Sequence, residues 1–296
     1  MDAARQNQRF VYYTTAETAM RIVRNGEIWM RKSHQMNDFR EIEHGFDCLN
    51  SAYKNSSQRM LSVFDSIFPG FCGRLESIFN SWLPHFRTDS YITCVSEHCS
   101  SEDRYGRLSM WRAYGGGAGV ALVVNGGPLL RPSNALSAYT SPVAYFHQAQ
   151  VKEAFDRLLA GVETNMEFVR SLGEDQVRGH MFAAFRYAIL CTKHPGFHEE
   201  REWRVIYSPR FQSSDRIISS VECINGIPQS ICKIPLRDVP DEGLYGLAPA
   251  EFIERVIIGP CRFPAGIMDA FLALLIEIGV SNPAEKIVVS DVPLRQ

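Results

Sequence analysis

The chain has 296 residues, of which 45% are hydrophobic and 22% are charged, as in ordinary globular proteins. This length can bury one large core or two modest ones. The formal net charge of −2 excludes a protein that binds nucleic acid through a strongly basic overall charge, and leaves only local basic patches for such a role.

Neither membrane insertion nor secretion is predicted. The sequence lacks the run of about 18 apolar residues that a membrane-spanning helix needs, and its N-terminal segment MDAARQNQRF lacks the apolar stretch of a secretory signal. The eight cysteines include no Cys-x-x-Cys pair, so no zinc site is predicted. We therefore expect a cytoplasmic protein with reduced thiols, no membrane association and no bound metal.

The first predicted element is a strand, RFVYYTT, which is rich in aromatic and β-branched residues. Thr15 then predicts the N-cap of a helix that Gly26 ends, and EIWM predicts a second strand. A strand, a hydroxyl-rich turn and a helix N-terminus form a natural site for an anion or a ribose, to which Tyr13 and Thr14 would offer hydroxyls. The same arrangement equally fits an ordinary strand–cap–helix unit.

A dense polar segment, SHQMNDFREIEHG, follows the second strand. Arg40 and Glu41 would face a cleft if this segment carried function, whereas the alternative is the solvated start of a helix. His34, Asp38 and His44 fit no standard spacing of metal ligands.

Three elements are predicted next: the strand SYITCVS, the short helix LSMWRAY and the strand GVALVVN. The last strand is almost continuously apolar, which indicates burial on both faces. The glycines at positions 115, 116, 117 and 119 precede this strand, so they do not form a phosphate-binding loop, which follows a strand. They either let the backbone approach another group closely or connect helix and strand tightly.

Helical segments separate two groups of predicted strands. Residues 55–85 and 149–193 show helical spacing, the latter as two helices separated near Gly173. The segments EWRVIYSP, IISSVECI and CKIPL then predict antiparallel strands. This order favours one α+β domain over residues 1–296, with helical insertions at about 50–88 and 149–193.

Two glutamates flank an arginine at the start of a late strand, in the motif Glu200-Arg201-Glu202. Alternate residues of an extended segment share a side, so Glu200 and Glu202 would form a carboxylate pair whose repulsion Arg201 or Arg204 could offset. Such a pair could stabilise positive charge in a transition state. It could equally protect the edge of a sheet against aggregation.

Several sequence blocks, taken together, resemble bacterial proteins of the family called domain of unknown function 2971. The blocks are YYTT, MND-x-RE, S-x-WR-x-YG, E-x-EWR and IERVIIGP, and they run in this order over nearly the whole chain. The MND-x-RE, S-x-WR-x-YG and E-x-EWR blocks are each distinctive. The family name confers no activity.

A more distant resemblance, to the ADP-ribosyltransferases, does imply an activity. In those enzymes an early strand carries His, Arg or Tyr beside a hydroxyl residue, a second strand ends in Ser-x-Ser or an aromatic residue, and a late strand starts with a glutamate, often as Glu-x-Glu. Here Tyr12-Tyr13-Thr14, Thr93 to Ser96 and Glu200-x-Glu202 occupy these places. Two positions depart from the pattern: Tyr12 stands where many relatives have His, and Thr-Cys-Val-Ser only approximates Ser-Thr-Ser.

This resemblance implies an α+β fold with the split mixed or antiparallel sheet of the ADP-ribosyltransferases and a helical insert. It also implies that the protein consumes NAD without a metal, as an ADP-ribosyltransferase or an NAD glycohydrolase of a bacterial toxin or phage-defence type. The acceptor would be nucleic acid, protein or water, and an antitoxin or another partner protein is compatible with this activity.

Residue roles follow from the same resemblance. Glu202 would be the catalytic carboxylate, Glu200 would orient the acceptor, and Ser96 would steady Glu202. Arg31 or Arg40 would pair with the pyrophosphate. The other predicted NAD contacts are hydroxyls, polar groups and rings, namely Tyr12, Tyr13, Thr14, Asn37, Asp38, Glu41, Trp111 and Tyr114. For Trp111, a place in the core is an equally good interpretation.

Two other functions are compatible with the same residues. The protein could be a non-enzymatic module whose cleft binds a nucleotide or a protein. It could also be a metal-dependent nuclease with Asp38, Glu41, Glu200 and Glu202 as ligands of Mg²⁺. Nicotinamide release would identify an enzyme that consumes NAD, and stabilisation by Mg²⁺ would identify the nuclease.

Overall fold

A computed structural model of the chain describes residues 8–35, 40–224 and 226–293, with only the backbone of residues 40 and 41. The strands of the described residues are β1 Arg9–Thr15, β2 Glu27–Lys32, β3 Tyr91–His98, β4 Ala118–Asn125, β5 Ala138–Pro142, β6 Ala144–Tyr145, β7 Thr192–Lys193, β8 Glu202–Tyr207, β9 Ile218–Ile224, β10 Ile227–Pro235, β11 Ile253–Cys261 and β12 Ile287–Val289. The α-helices are α1 Ala16–Asn25, α2 Arg40–Ile67, α3 Phe71–Thr88, α4 Leu108–Tyr114, α5 Gly127–Leu130, α6 Gln148–Thr164, α7 Met166–Leu172, α8 Glu174–Leu190, α9 Pro249–Phe252 and α10 Pro264–Glu277.

The chain divides into two compact units. The first comprises Met1–Arg31, Tyr91–Ser141 and Glu199–Gln296, and the second comprises Lys32–Ser90 and Pro142–His198. The first unit holds an open ten-stranded sheet and the second is mainly helical. The fold is therefore α+β, as the order of predicted elements indicates.

The large sheet is mostly antiparallel and branches at β3. Its strands follow the order β12-β11-β4-β1-β3-β2-β10-β9, while β8 pairs with β3 and β5. β1 pairs with β4 along its whole length but meets β3 only through Arg9, Phe10 and Val11. β11 and β12 are parallel. The N-terminal strand and the strand that begins at Glu202 are thus separated by a single strand, β3.

Helix α1 begins and ends where the sequence predicts. The Thr15 side chain accepts a hydrogen bond from the Thr18 amide, and Gly26 takes the left-handed conformation, with φ of 61°, at the C-terminus. The helix turns Ala19, Ile22 and Val23 towards the core. Both end signals in the sequence are confirmed, and they set the direction in which the chain enters β2.

The main core covers one face of the sheet. Helices α1 and α10 pack there against residues of β1, β4, β8 and β11, including Phe10, Leu122, Trp203 and Val256. The predicted burial of β4 on both faces is confirmed, since Gly119 to Val124 are all buried. Helix α4 covers part of the opposite face through Met110 and Trp111.

The second unit packs helices through aromatic rings, such as Phe64 on Phe71 with centroids 4.9 Å apart. The two helices predicted over residues 149–193 are three, because a second break occurs at Asn165 besides the one at Gly173. The Thr164 hydroxyl and the Asn165 amide donate hydrogen bonds to the carbonyls of Ala160 and Gly161. Such side-chain bonds to the preceding turn compete with helix continuation.

Candidate functional site

One residue from each of three neighbouring strands forms a row across the sheet. Val11 of β1 pairs with Ser96 of β3, and Ser96 pairs with Glu202 of β8. Residues directly opposite one another point to the same face, and so does Tyr13, two residues after Val11. The structure therefore brings Tyr13, Ser96 and Glu202 onto one face, with neighbouring strands about 4.8 Å apart.

Glu202 forms a buried ion pair with Arg204. The Arg204 Nε donates to Glu202 Oε1 at 2.8 Å, and the two side chains are 2% and 6% exposed. They share a face because they lie two residues apart on β8. Arginine beside a carboxylate favours its ionised form. Arg204 was one of two arginines expected to offset the acidic charge, and it contacts Glu202 directly.

Glu200 lies in a different environment, next to an aromatic hydroxyl. The hydroxyl of Tyr114 comes within 3.5 Å of Glu200 Oε1, at the outer limit of a hydrogen bond. Helix α4 places Tyr114 beside the small core cluster of Val11, Tyr13 and Trp111. Glu200 is half-buried, so it is more accessible than Glu202.

The residue between the two glutamates has an unusual backbone. Arg201 has a φ of +44°, the left-handed region that costs a side-chain-bearing residue roughly 1–2 kcal/mol. Its carbonyl accepts a hydrogen bond from the Glu97 amide at 2.9 Å. The alternation that would place Glu200 and Glu202 on one side therefore does not extend to Glu200, which ends the short 3₁₀ helix Pro195–Glu200 in the connection before β8, and the strand begins at Glu202.

Tyr13 and Trp111 are core residues. Their rings meet edge to face with centroids 4.9 Å apart, and Trp111 is 3% exposed. The Trp111 indole donates to the Tyr105 carbonyl at 2.7 Å, and the Arg107 amide donates to the Tyr13 hydroxyl at 2.8 Å. Burial raises the pKa of Tyr13 to about 12. The sequence allowed either ring stacking or a core position for Trp111, and the structure shows the core position.

The glycines around the start of β4 accommodate Trp111 and the turn of the chain beside it. A Cβ on Gly119 would lie 2.7 Å from the Cα of Gly115 and 3.2 Å from the Trp111 ring. Gly259 on β11 is closer still, since its Cβ would lie 2.8 Å from the same ring. Of the two interpretations of this glycine run, these contacts fit a tight helix-to-strand connection.

Tyr12 and Thr14 alternate to the other face of β1, where Tyr12 packs against the main core. Burial raises the pKa of Tyr12, while a hydrogen bond from Thr93 and the charge of Arg31 act in the opposite direction. Arg31 donates from Nε to Gln229 at 3.2 Å. The predicted NAD contacts therefore fall into two groups, because Tyr13, Ser96 and Glu202 lie on the opposite face.

Part of the predicted site lies outside the described residues. This holds for Asn37 and Asp38, and for the side chains of Arg40 and Glu41. Within the described part of the chain, no three His, Cys, Asp or Glu side chains are arranged to hold a metal ion. The magnesium alternative needs Asp38 and Glu41, so it stays a prediction.

Arg107 and Glu102, which hold the segment of residues 199–201, were not predicted from the sequence. Arg107 donates to the carbonyls of Glu199 and Glu200, and to the Glu102 carboxylate. Burial alone would raise the pKa of Glu102, but hydrogen bonds from Arg107 and the Cys99 amide, with the charges of Arg107 and Arg201, lower it overall. Neither residue stands in a recognisable motif spacing.

The fold and the site define an α+β protein with a mostly antiparallel open sheet, whose late acidic strand carries a buried carboxylate–guanidinium pair. Residues 110–205 match the model of a family described as "Protein of unknown function (DUF2971)". This region includes the blocks around Trp111 and Glu202. No curated protein and no solved structure matches the chain. None of the helices in the described residues has the length and apolar character needed to cross a membrane.

Proposed function

We propose that this protein consumes NAD, by transferring ADP-ribose to an acceptor or by releasing it to water. The observation that carries the proposal is the row of Val11, Ser96 and Glu202 across three adjacent strands. This row places β8, which begins at Glu202, one strand away from β1. Tyr13 of β1 and Glu202 lie on the same face of the sheet. The resemblance to ADP-ribosyltransferases supplies the chemistry that such an arrangement would serve.

The chemistry needs a fixed negative charge beside the ribose. When the bond between ribose C1′ and nicotinamide breaks, nicotinamide leaves with the bonding electrons and the ribose gains oxocarbenium character. A carboxylate held at the ribose stabilises that cation more than it stabilises NAD itself. The acceptor or a water molecule then attacks C1′ and gives up a proton. Glu202 is the proposed carboxylate, and Arg204 binds it at 2.8 Å.

Glu200 is proposed to orient the acceptor, because it is the more accessible of the two glutamates. Its neighbour Tyr114 is half-buried and offers a hydroxyl beside it. The assignment of Arg31 or Arg40 to the pyrophosphate stays a prediction, as do the nature of the acceptor, a toxin or phage-defence role and an antitoxin partner.

A non-enzymatic nucleotide-binding module is the second candidate, and a specific observation favours it. At 6% exposure and bonded to Arg204, Glu202 has the surroundings of a structural ion pair. In that case the pair would hold β8 in place, and the protein would bind NAD or another nucleotide without cleaving it. The two candidates differ in one product, free nicotinamide.

Incubation with NAD, followed by chromatographic detection of nicotinamide, tests the proposal. Wild-type protein should release nicotinamide, and Glu202→Gln should reduce the rate by at least about 100-fold, as expected when a group that stabilises transition-state charge is lost. Glu199→Gln is the matched control, since Glu199 is exposed in the same loop. Thermal stabilisation by NAD without nicotinamide release would instead support the binding module.

A further inference from the structure

We propose that Arg107 is a positioning residue, which fixes the loop of residues 199–201 against the end of β3 and so determines where Glu200 and Glu202 are held. Its effect on turnover rests on the proposed function, whereas its effect on the loop does not. Arg107 lies immediately before α4 and its side chain is largely buried.

The guanidinium of Arg107 binds backbone carbonyls of two segments that are distant in the sequence. Nη1 donates to the carbonyl oxygens of Glu199 at 2.9 Å and Glu200 at 3.1 Å. Nη2 donates to the carbonyl oxygen of Glu97 at 2.8 Å. The loop that precedes β8 and the end of β3 are thereby joined through one side chain.

A carboxylate completes this arrangement. Arg107 Nε donates to Glu102 Oε1 at 3.1 Å, and Nη2 approaches Oε2 at 3.3 Å. Arg201 binds the same carboxylate through Nη2 and contacts the Cys99 sulfur through Nη1 at 3.1 Å. Glu102 therefore pairs with both arginines and holds the left-handed Arg201 from its side-chain end.

The main chain of Arg107 reaches the N-terminal strand as well. Its amide donates to the Tyr13 hydroxyl at 2.8 Å, and Tyr13 lies on the face that carries Ser96 and Glu202. One residue therefore contacts the three segments that the proposed function requires: β1 through Tyr13, the end of β3 through Glu97, and the acidic loop through Glu199 and Glu200.

These contacts need an arginine and not merely a positive charge. The guanidinium presents donors that are spread in a planar fork, whereas lysine presents three donors from one nitrogen. A lysine at position 107 cannot reach three separated carbonyls and a carboxylate at once. Arg107→Lys is therefore expected to keep the charge but release the loop, so that the left-handed backbone at Arg201 loses its support.

The experiment compares wild-type protein, Arg107→Lys and Arg104→Lys. Arg104 is the matched control, because it lies in the same segment, is 76% exposed and pairs with Asp291. Hydrogen exchange is followed in peptides that cover residues 97 and 199–204, where the Glu97 amide reports on its bond to the Arg201 carbonyl. Steady-state nicotinamide release is measured in parallel.

For Arg107→Lys, exchange in these two peptides should rise at least about tenfold while peptides of α1 and β4 keep their wild-type rates. The kcat should fall about 100-fold, as expected when reacting groups shift by about 1 Å, with KM within about threefold of wild type. Arg104→Lys should leave both measurements unchanged. Wild-type exchange in Arg107→Lys, or a rise shared by all peptides, would overturn the inference.

The two proposals fail in distinguishable ways. If wild-type protein releases no nicotinamide, the proposed function falls and the exchange data alone decide the role of Arg107. If wild-type protein is active and Arg107→Lys keeps both its kcat and its local exchange, the positioning role falls and the function stands. Should Arg107→Lys not fold, Glu102→Gln replaces it, with faster local exchange and a roughly tenfold lower kcat expected, and wild-type values overturning the inference.

Discussion

Glu202 and Arg204 lie two residues apart on β8 and bind each other at 2.8 Å on a face from which solvent is almost excluded. Removing one member of such a pair leaves an uncompensated buried charge, which typically costs about 3–5 kcal/mol, whereas replacing both by apolar residues of similar size is often neutral. Variants of this pair therefore test the buried contact itself as well as the proposed catalytic role of Glu202.

Arg204→Met alone should lower the free energy of unfolding by about 3–5 kcal/mol, because Glu202 would remain buried without its 2.8 Å bond to Arg204. The double variant Glu202→Leu with Arg204→Met should recover most of this loss. Urea unfolding of the wild type, the single variants Glu202→Leu and Arg204→Met, and the double variant forms a double-mutant cycle. Single variants that are as stable as the wild type would mean that the two side chains are not paired in solution.

Trp203→Ala should destabilise the protein by about 3–5 kcal/mol. The ring packs edge to face on Phe10 with centroids 5.3 Å apart, and its indole donates to Glu97 at 2.8 Å. Trp203→Phe is the control, since it keeps an aromatic ring in the core and loses mainly the hydrogen bond. Its loss should be smaller when both are measured by urea unfolding, and equal losses would contradict the packing described here.

Tyr13 predicts an alkaline limit of stability. Burial raises its pKa to about 12, above the ordinary value of about 10. The unfolded chain therefore loses the proton first, so the contribution of neutral Tyr13 is fully present below pH 10 and is lost as pH rises through 12. Over that interval the loss is on the order of 3 kcal/mol, since each pKa unit corresponds to a little over 1 kcal/mol.

Tyr13→Phe isolates this contribution. The variant should be less stable at pH 8 by about 1–3 kcal/mol, because the Arg107 amide loses its acceptor. Between pH 9 and 12, however, its stability should fall less steeply than that of the wild type. Parallel urea curves at several pH values measure the difference, and identical slopes would show that Tyr13 is not buried in the neutral form.

Gly259→Ala should cost about 1–3 kcal/mol, since the added methyl group would overlap the Trp111 ring. Gly117→Ala serves as the control, because a Cβ there meets no atom within 4 Å and φ is not positive. Thermal unfolding of the two variants compares the sites directly. A smaller loss at Gly259 than at Gly117 would contradict the close packing around Trp111.

Local signals in the sequence predicted much of the fold. Thr15 and Gly26 mark the two ends of α1 because capping depends on a few neighbouring residues. The apolar run of β4 indicates burial on both faces, and this signal too lies in a few neighbouring residues. The sequence did not indicate that β3 branches, because pairing partners such as Ser96 and Glu202 come from distant parts of the chain.

The site was harder to predict than the fold. Side-chain alternation on β1 separates Tyr12 from Tyr13, and only the pairing of β1, β3 and β8 shows that Tyr13 lies on the face of Ser96 and Glu202. Arg107 carries no motif, since its role comes from carbonyl groups that are distant in the sequence. The left-handed Arg201 likewise has no sequence signal, because such conformations are held by surrounding contacts.

The most direct test of the central claim is proton NMR of NAD incubated with wild-type protein and with Glu202→Gln, both compared at the same folded fraction. The signals of free nicotinamide should grow with the wild-type protein and stay at background with the variant. No growth with the wild-type protein, or growth at equal rates with both proteins, would contradict NAD cleavage at Glu202.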